Sequence, residues 1–104
     1  MLIEVTKEHI KNGIQECEVD CPIALAVCDA VIADMPDEHK HPNIITTVHD
    51  NEIGVHYHTS SDEFELMYYI EPADPDDWNF ISHFIHNFDK NGDVEPFDME
   101  FVVK

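Results

Sequence analysis

The segment Pro22–Asp34 constrains the fold more than any other part of the chain. Proline stands at its start, where the missing N–H costs a helix nothing, and Met35-Pro36 predicts its end. On a helical wheel Ile23, Val27 and Val31 make one apolar side, and Leu25, Cys28 and Ile32 make another. Only a narrow stripe of Pro22, Ala26, Asp29 and Ala33 is left over. A helix that is apolar nearly all round has to be buried. The remaining residues must therefore be assembled around it as the central core element.

The other elements supply that surround. Leu2 to Val5 reads as a short strand, after which Thr6 caps a brief helical turn through Ile10 that Asn12-Gly13 stops. Ile14 to Asp20 is an acidic loop, and Asp37 to Pro42 a polar one. Ile44–His49 and Ile53–His58 read as strands joined at Asp50-Asn51, a hairpin signal. After a turn at Thr59–Asp62, Glu63–Ile70 alternates, which predicts Phe64, Leu66, Tyr68 and Ile70 inward and Glu63, Glu65, Met67 and Tyr69 outward.

Asp74-Pro75-Asp76-Asp77 has the cap, the proline and the acidic first turn of a helix start. The helix is expected over Pro75–Asp89, with Trp78, Ile81, Phe84, Ile85 and Phe88 toward the core and Lys90-Asn91-Gly92 at its end. Phe97–Val103 closes the chain as a strand with Phe97, Met99, Phe101 and Val103 on one side. Strands in hairpin order, with helices between blocks, predict a single α+β domain over residues 1–104. Its antiparallel sheet of about five strands is packed on one side by two main helices.

Charge sets the functional limits. Asp and Glu number 23 against five lysines (Lys7, Lys11, Lys40, Lys90 and Lys104) and no arginine, a formal charge of −18. Direct contact with nucleic acid or an anionic membrane calls for a basic patch, which this composition does not offer. The start, Met1-Leu2-Ile3-Glu4-Val5, has no basic region ahead of an apolar run, and Asp29 and Asp34 interrupt the most apolar segment. Cys17, Cys21 and Cys28 are an odd set at spacings unlike a secreted disulfide framework. A reducing cytoplasm is the expected compartment.

Three stretches carry a resemblance: Val5-Thr6-Lys7-Glu8-His9-Ile10 with Gly13; Cys21-Pro22-Ile23-Ala24-Leu25-Ala26; and Phe84-Ile85 through Phe88-Asp89, Gly92, Val94 and Pro96-Phe97. The chain resembles a family of short, functionally uncharacterised proteins of bacteriophages and their hosts. That family has a V-T-x-E-H-I opening, a C-P-[IV]-A-L-A helix and an F-I-x-x-F-D…V-x-P-F ending. The resemblance covers both ends and not residues 37–70. It implies a shared fold and a viral setting rather than a chemistry.

Metal motifs are incomplete. His56-Tyr57-His58 followed by Glu63 resembles the first metal motif of cupins, and a carboxylate from the next strand would complete a facial triad. The second motif and the glycines of that pattern are missing. Cys17 and Cys21, with Cys28, His39 and His41, offer a loose zinc set, although Cys28 reads better as core. Asp89-x-Asn91-x-Asp93 with Glu95 and Glu100 echoes a calcium loop, but Val94 stands where the sharp turn needs glycine. No cofactor is therefore expected. With no G-x-S-x-G, no phosphate loop and only three glycines, an enzyme is not expected either.

What remains is acid on display. Residues 62–100 hold twelve acids and one lysine. Glu63 with Glu65, and Asp98 with Glu100, are i, i+2 pairs that hold carboxylates about 6–7 Å apart on one strand face. Neighbouring phosphates of a polynucleotide are spaced on that scale. Asp74, Asp76 and Asp77 add a cluster at the helix start. The leading expectation is a phage-type accessory protein in the host cytoplasm. It would act as a stoichiometric acidic inhibitor, mimicking DNA or RNA, of a basic host protein such as a nuclease, glycosylase, restriction or CRISPR component. Partner-binding residues would be Glu63, Glu65, Asp74, Asp76, Asp77, Asp98 and Glu100. Two alternatives stay open: a metal-binding protein or metalloenzyme using His56, His58 and Glu63, and a self-assembling protein or homodimer joined through the Met67, Tyr68 and Tyr69 strand.

Overall fold

The computed structural model describes residues 1–34, 44–49, 51–58 (of His58, the backbone), 63–91 and 93–104. The expected loop at 37–42, Asp50 of the expected hairpin turn, the turn at 59–62, His39, His41, and the helix stops at Met35-Pro36 and Gly92 lie outside them. Elements run β1 (Leu2–Val5), α1 (Lys7–Asn12), α2 (Pro22–Asp34), β2 (Ile44–His49), β3 (Glu52–His58), β4 (Phe64–Pro72), α3 (Asp77–Asn91) and β5 (Phe97–Val103). The five strands form one antiparallel sheet in the order β1-β5-β4-β3-β2. This is the α+β architecture that the hairpin order predicts.

The central helix determines the shape of the sheet. β1 and β2 are opposite edges, yet α2 packs against both. The sheet is curled around the helix, and α2 spans the gap between its edges. Ile23, Ala24, Val27 and Val31 are buried there with Ile3, Val5, Ile44, Val48, Ile53, Val55, Ile70 and Phe101. Each fully buried aliphatic or aromatic side chain contributes about 1.5–3 kcal/mol relative to exposure. Thr46, on the inward face of β2, is fully buried, and its hydroxyl meets the Cys28 thiol at 3.2 Å. The leftover stripe of α2 divides in two: Asp29 and Ala33 are exposed, whereas Pro22 and Ala26 are buried. A wheel drawn for α2 alone omits α1, which packs against it.

The second main helix starts later than its sequence signals. Pro75 and Asp76 belong to a tighter turn, in which Asp77, Trp78 and Asn79 donate to the carbonyls of Asp74, Pro75 and Asp76. The Asp74 carboxylate takes the amide of Asp76 at 3.0 Å. The helix then buries Ile81, Phe84 and Phe88 and half-buries Trp78 and Ile85.

Strand β4 departs from its expected pattern. Val55 pairs with Tyr68 but His56 pairs with Leu66, so Met67 is an extra residue in a β-bulge. Side chains alternate with a period of two, and one inserted residue exchanges the faces of everything beyond it. Ile70 and Tyr68 point inward as expected. Phe64 and Leu66 are instead 48% and 43% exposed, on the outer face. Glu65 lies opposite Tyr57 on the helix side and accepts its hydroxyl at 2.6 Å. In β5, Met99 and Phe101 are buried, Phe97 is half-buried, and Val103 is exposed.

Gly13 follows α1 with φ −67° and ψ 151°, so it is not required for its conformation. It is required for space, because a Cβ there would lie 2.7 Å from Cδ and 2.8 Å from Cγ of Pro22. Gly13→Ala is expected to destabilise the fold by about 1–3 kcal/mol, as overpacking does. Denaturant titration checks this, and an unchanged midpoint would show that the α1–α2 turn has slack.

Candidate acidic binding surface

The hydrogen bonds around α3 gather part of the acidic array. The amide of Ala73 donates to the carbonyl of Glu100 at 2.9 Å, which seats the Asp74–Asp77 turn against β5. Asp77, Asp98 and Glu100 then line one hollow of about 340 Å³ with Phe80, Phe97 and Met99. Glu4 stands directly opposite Asp98 in the β1–β5 register, a like-charge pair that costs stability. Glu100 is partly compensated by the amino-terminal ammonium at 2.8 Å. Asp74, Asp76, Asp98 and Glu100 are exposed, as is Glu4, and Asp77 is half-buried.

Glu63 and Glu65 do not join this cluster. Ala73, which faces Glu100, is about 25 Å along the strand from Glu65. The bulge also turns Glu65 toward the helix side, where it raises the Tyr57 hydroxyl above the usual phenol value by accepting its proton in a hydrogen bond. Tyr68 is raised as well, by burial first and by Asp34 second. Glu63 and Glu65, expected as partner-binding residues together with Asp98 and Glu100, are therefore at the other end of the sheet. Of the expected binding residues, Asp74, Asp76, Asp77, Asp98 and Glu100 share one end, and Glu63 and Glu65 lie apart from them.

A longer groove opens beside the patch. Phe80, His83, Phe84 and Asn87 of α3 form one wall, and Asp93, Val94, Glu95, Pro96 and Phe97 form the other, around about 490 Å³. Phe97 packs edge-on against Phe80 at 4.8 Å and against Phe84 at 4.9 Å. Phe84 is buried, but Phe80 is 46% exposed. Nothing in the expected core assigns Phe80. The signal in the sequence is an aromatic residue off the inward stripe of an amphipathic helix.

A second groove, of about 480 Å³, lies between β1 and α2 and is lined by Leu2, Glu4, Thr6, His9, Ala26, Asp29, Ala30, Ala33 and Asp34. It holds a hydroxyl–imidazole–carboxylate chain: Thr6 Oγ1 is 3.1 Å from His9 Nδ1, and His9 Nε2 is 2.6 Å from Asp29. The Thr6 amide also donates to Nδ1 at 3.1 Å, and Thr6 Oγ1 accepts from the His9 amide. Nδ1 is thus an acceptor and Nε2 the donor to Asp29. This is a capping box with histidine in the glutamate position. It clasps α1 to α2, and the lone pair that a general base would use is already engaged.

The metal candidates are distributed as follows. His56 lies on the outer face of β3, its Nε2 3.3 Å from Thr47 Oγ1. Glu63 is exposed just ahead of β4, and the side chain of His58 is outside the described residues. Among the described residues no group of three or more His, Cys, Asp or Glu could hold a metal ion. The calcium-like segment has local uses: Asp89 accepts the amide of Glu16 at 2.8 Å and Asn91 that of Asp93 at 2.9 Å. No helix among the described residues is long and apolar enough to cross a membrane. No protein-family model, curated protein or solved structure matches the chain.

The cysteines are free thiols in three environments. Cys17 is half-buried beside Asp20, and Cys28 donates to the carbonyl of Ile44, its thiol pushed up by burial. Cys21 is buried, and desolvation raises its thiol from 9.0 to about 11. The folded chain thus disfavours the Cys21 thiolate. The stability this thiol confers is whole below pH 9 and is lost as pH rises through about 11. Unfolding measured between pH 8.5 and 11 is expected to show a loss of about 2–3 kcal/mol that Cys21→Ala removes. Equal alkaline losses in both proteins would assign the effect to other groups.

Proposed function

We propose that the protein is a phage-type accessory protein of the host cytoplasm. It binds a basic, nucleic-acid-handling host protein stoichiometrically and blocks it. The observation that carries this reading is the concentration of Glu4, Asp74, Asp76, Asp77, Asp98 and Glu100 at one end, with no lysine among them. Keeping like charges this close, in a chain of −18, opposes folding. Such a cost is offset when a cationic surface is the target, because complementary fields speed encounter and fix orientation. A site built for phosphates supplies that surface. The acids occupy it as a compact patch anchored on β5 and the α3 turn.

Capture from host lysate at low salt, eluted by a salt gradient, identifies the target. Replacing Glu4, Asp76 and Asp98 together by Lys is expected to weaken binding about a hundredfold or more at low salt. Replacing Glu63 and Glu65 by Lys is expected to cost less than about tenfold, being felt only at long range. A complex that ignores both the triple variant and high salt would exclude charge-driven inhibition.

A second reading, self-association, has one observation in its favour. On the outer face of β2–β4, Ile45, His56 and Leu66 form one row, and Thr47, Gly54 and Tyr69 form the next. Neither row has a carboxylate, and Leu66 and Tyr69 are 43% and 37% exposed. Native mass measurement discriminates: a dimer abolished by Leu66→Glu supports this reading, and a monomer at all concentrations removes it.

A further inference from the structure

The geometry points to the groove between α3 and residues 93–97 as a docking site for an arginine-rich segment of the partner that carries an aromatic or aliphatic anchor. This deepens the inhibitor reading and rests on it, because it names the element of the basic partner that the acidic end engages. The groove has the dimensions of a binding site: about 490 Å³ along its main length, continuing past Phe80 and Phe97 into the hollow of about 340 Å³. Its floor is apolar, made by Phe80, Phe84, Val94, Pro96 and Phe97.

The rim has the opposite character. Asp93 and Glu95 stand at one end, and Asp77, Asp98 and Glu100 stand at the other. None of the residues lining either part is a lysine, and the chain contains no arginine. Of those carboxylates Glu100 is offset by the amino-terminal ammonium at 2.8 Å, and no lysine or arginine lines the groove to meet the others. An apolar floor between two acidic ends selects a segment with a hydrophobic centre and cationic flanks.

Arginine suits the flanks better than lysine. Its planar guanidinium lies on an exposed aromatic face and meets a carboxylate through two parallel N–H donors. Phe80 supplies the face, and Asp77 and Asp98 lie beside it in the same hollow. Lysine, a strongly hydrated point charge, gains only the Coulombic part. Segments with this composition are the arms by which many proteins track a phosphate backbone. Capturing such an arm would remove it from nucleic acid.

The test uses the intact ¹⁵N-labelled protein and three short synthetic peptides: arginine-flanked with a central Trp-Leu, the same with lysine flanks, and the arginine form with Ala-Ala at the centre. Amide shifts at 77–84 and 93–100 are expected with the first peptide, and weaker binding with each of the others. Phe80→Ala is expected to lower affinity for the first peptide about tenfold while leaving the melting temperature within a few degrees, since Phe80 is exposed. Phe80→Tyr, which keeps the aromatic face, is expected to restore most of it. Shifts spread over all acidic residues, or a Phe80→Ala variant that binds normally, would overturn the groove and leave the acidic-inhibitor reading standing. Failure of all three peptides to bind at low salt would overturn both.

Discussion

The fold depends on burying one helix that has almost no polar side. α2 cannot lie on a flat sheet, because a flat sheet covers only one stripe and leaves the rest of an apolar cylinder in water. Curling the five strands until both β1 and β2 touch the helix meets that demand. α1 and the turn at Gly13 complete the cover over Pro22 and Ala26. The Thr6–His9–Asp29 clasp holds that cover down through a bond of 2.6 Å to the exposed side of the same helix. Polar chemistry near α2 thus serves its enclosure.

With the core settled in this way, the acids are free to collect elsewhere. A chain at −18 stays folded when apolar burial outweighs mutual repulsion, and repulsion is least where charges are spread evenly. The spread here is uneven. Two outer rows of β2–β4, Ile45-His56-Leu66 and Thr47-Gly54-Tyr69, hold none, while the β1–β5 end and the α3 turn hold several within one hollow. Glu4 opposite Asp98 is a local cost, and the amino-terminal ammonium pairs with Glu100 rather than with either of them. Localisation at an energetic loss is the physical basis for reading this end as an interface.

Much of the architecture was legible because the signals were local. The proline start and apolar run of Pro22–Asp34 and the alternation in Phe97–Val103 each specify one element. The bulge at Met67 was not legible. Nothing in Phe64–Ile70 marks an extra residue, and the pattern of apolar Phe64, Leu66, Tyr68 and Ile70 reads as continuous. Glu63 and Glu65 left the expected acidic set for two reasons: the bulge turned Glu65 to the helix side, and pairing of β4 with β5 at Ile70–Pro72 put both at the far end of the strand. The others, Asp74 to Asp77 with Asp98 and Glu100, came together through the Ala73–Glu100 bond, a contact the sequence does not announce. The groove was hidden for a different reason. Phe80 is neither on the inward stripe nor polar, and its role emerges only when Phe97 packs against it.

The central claim is that binding is confined to the acidic and aromatic end. Hydrogen exchange, measured on the complex with the captured host protein and on the free chain, tests it most directly. Added protection is expected at 73–80 and 93–100, with β2 and β3 unchanged. Protection appearing on β2 and β3 around Ile45 and His56, with none at Phe80 or Asp98, would contradict it and move the interface to the two carboxylate-free rows of the outer face.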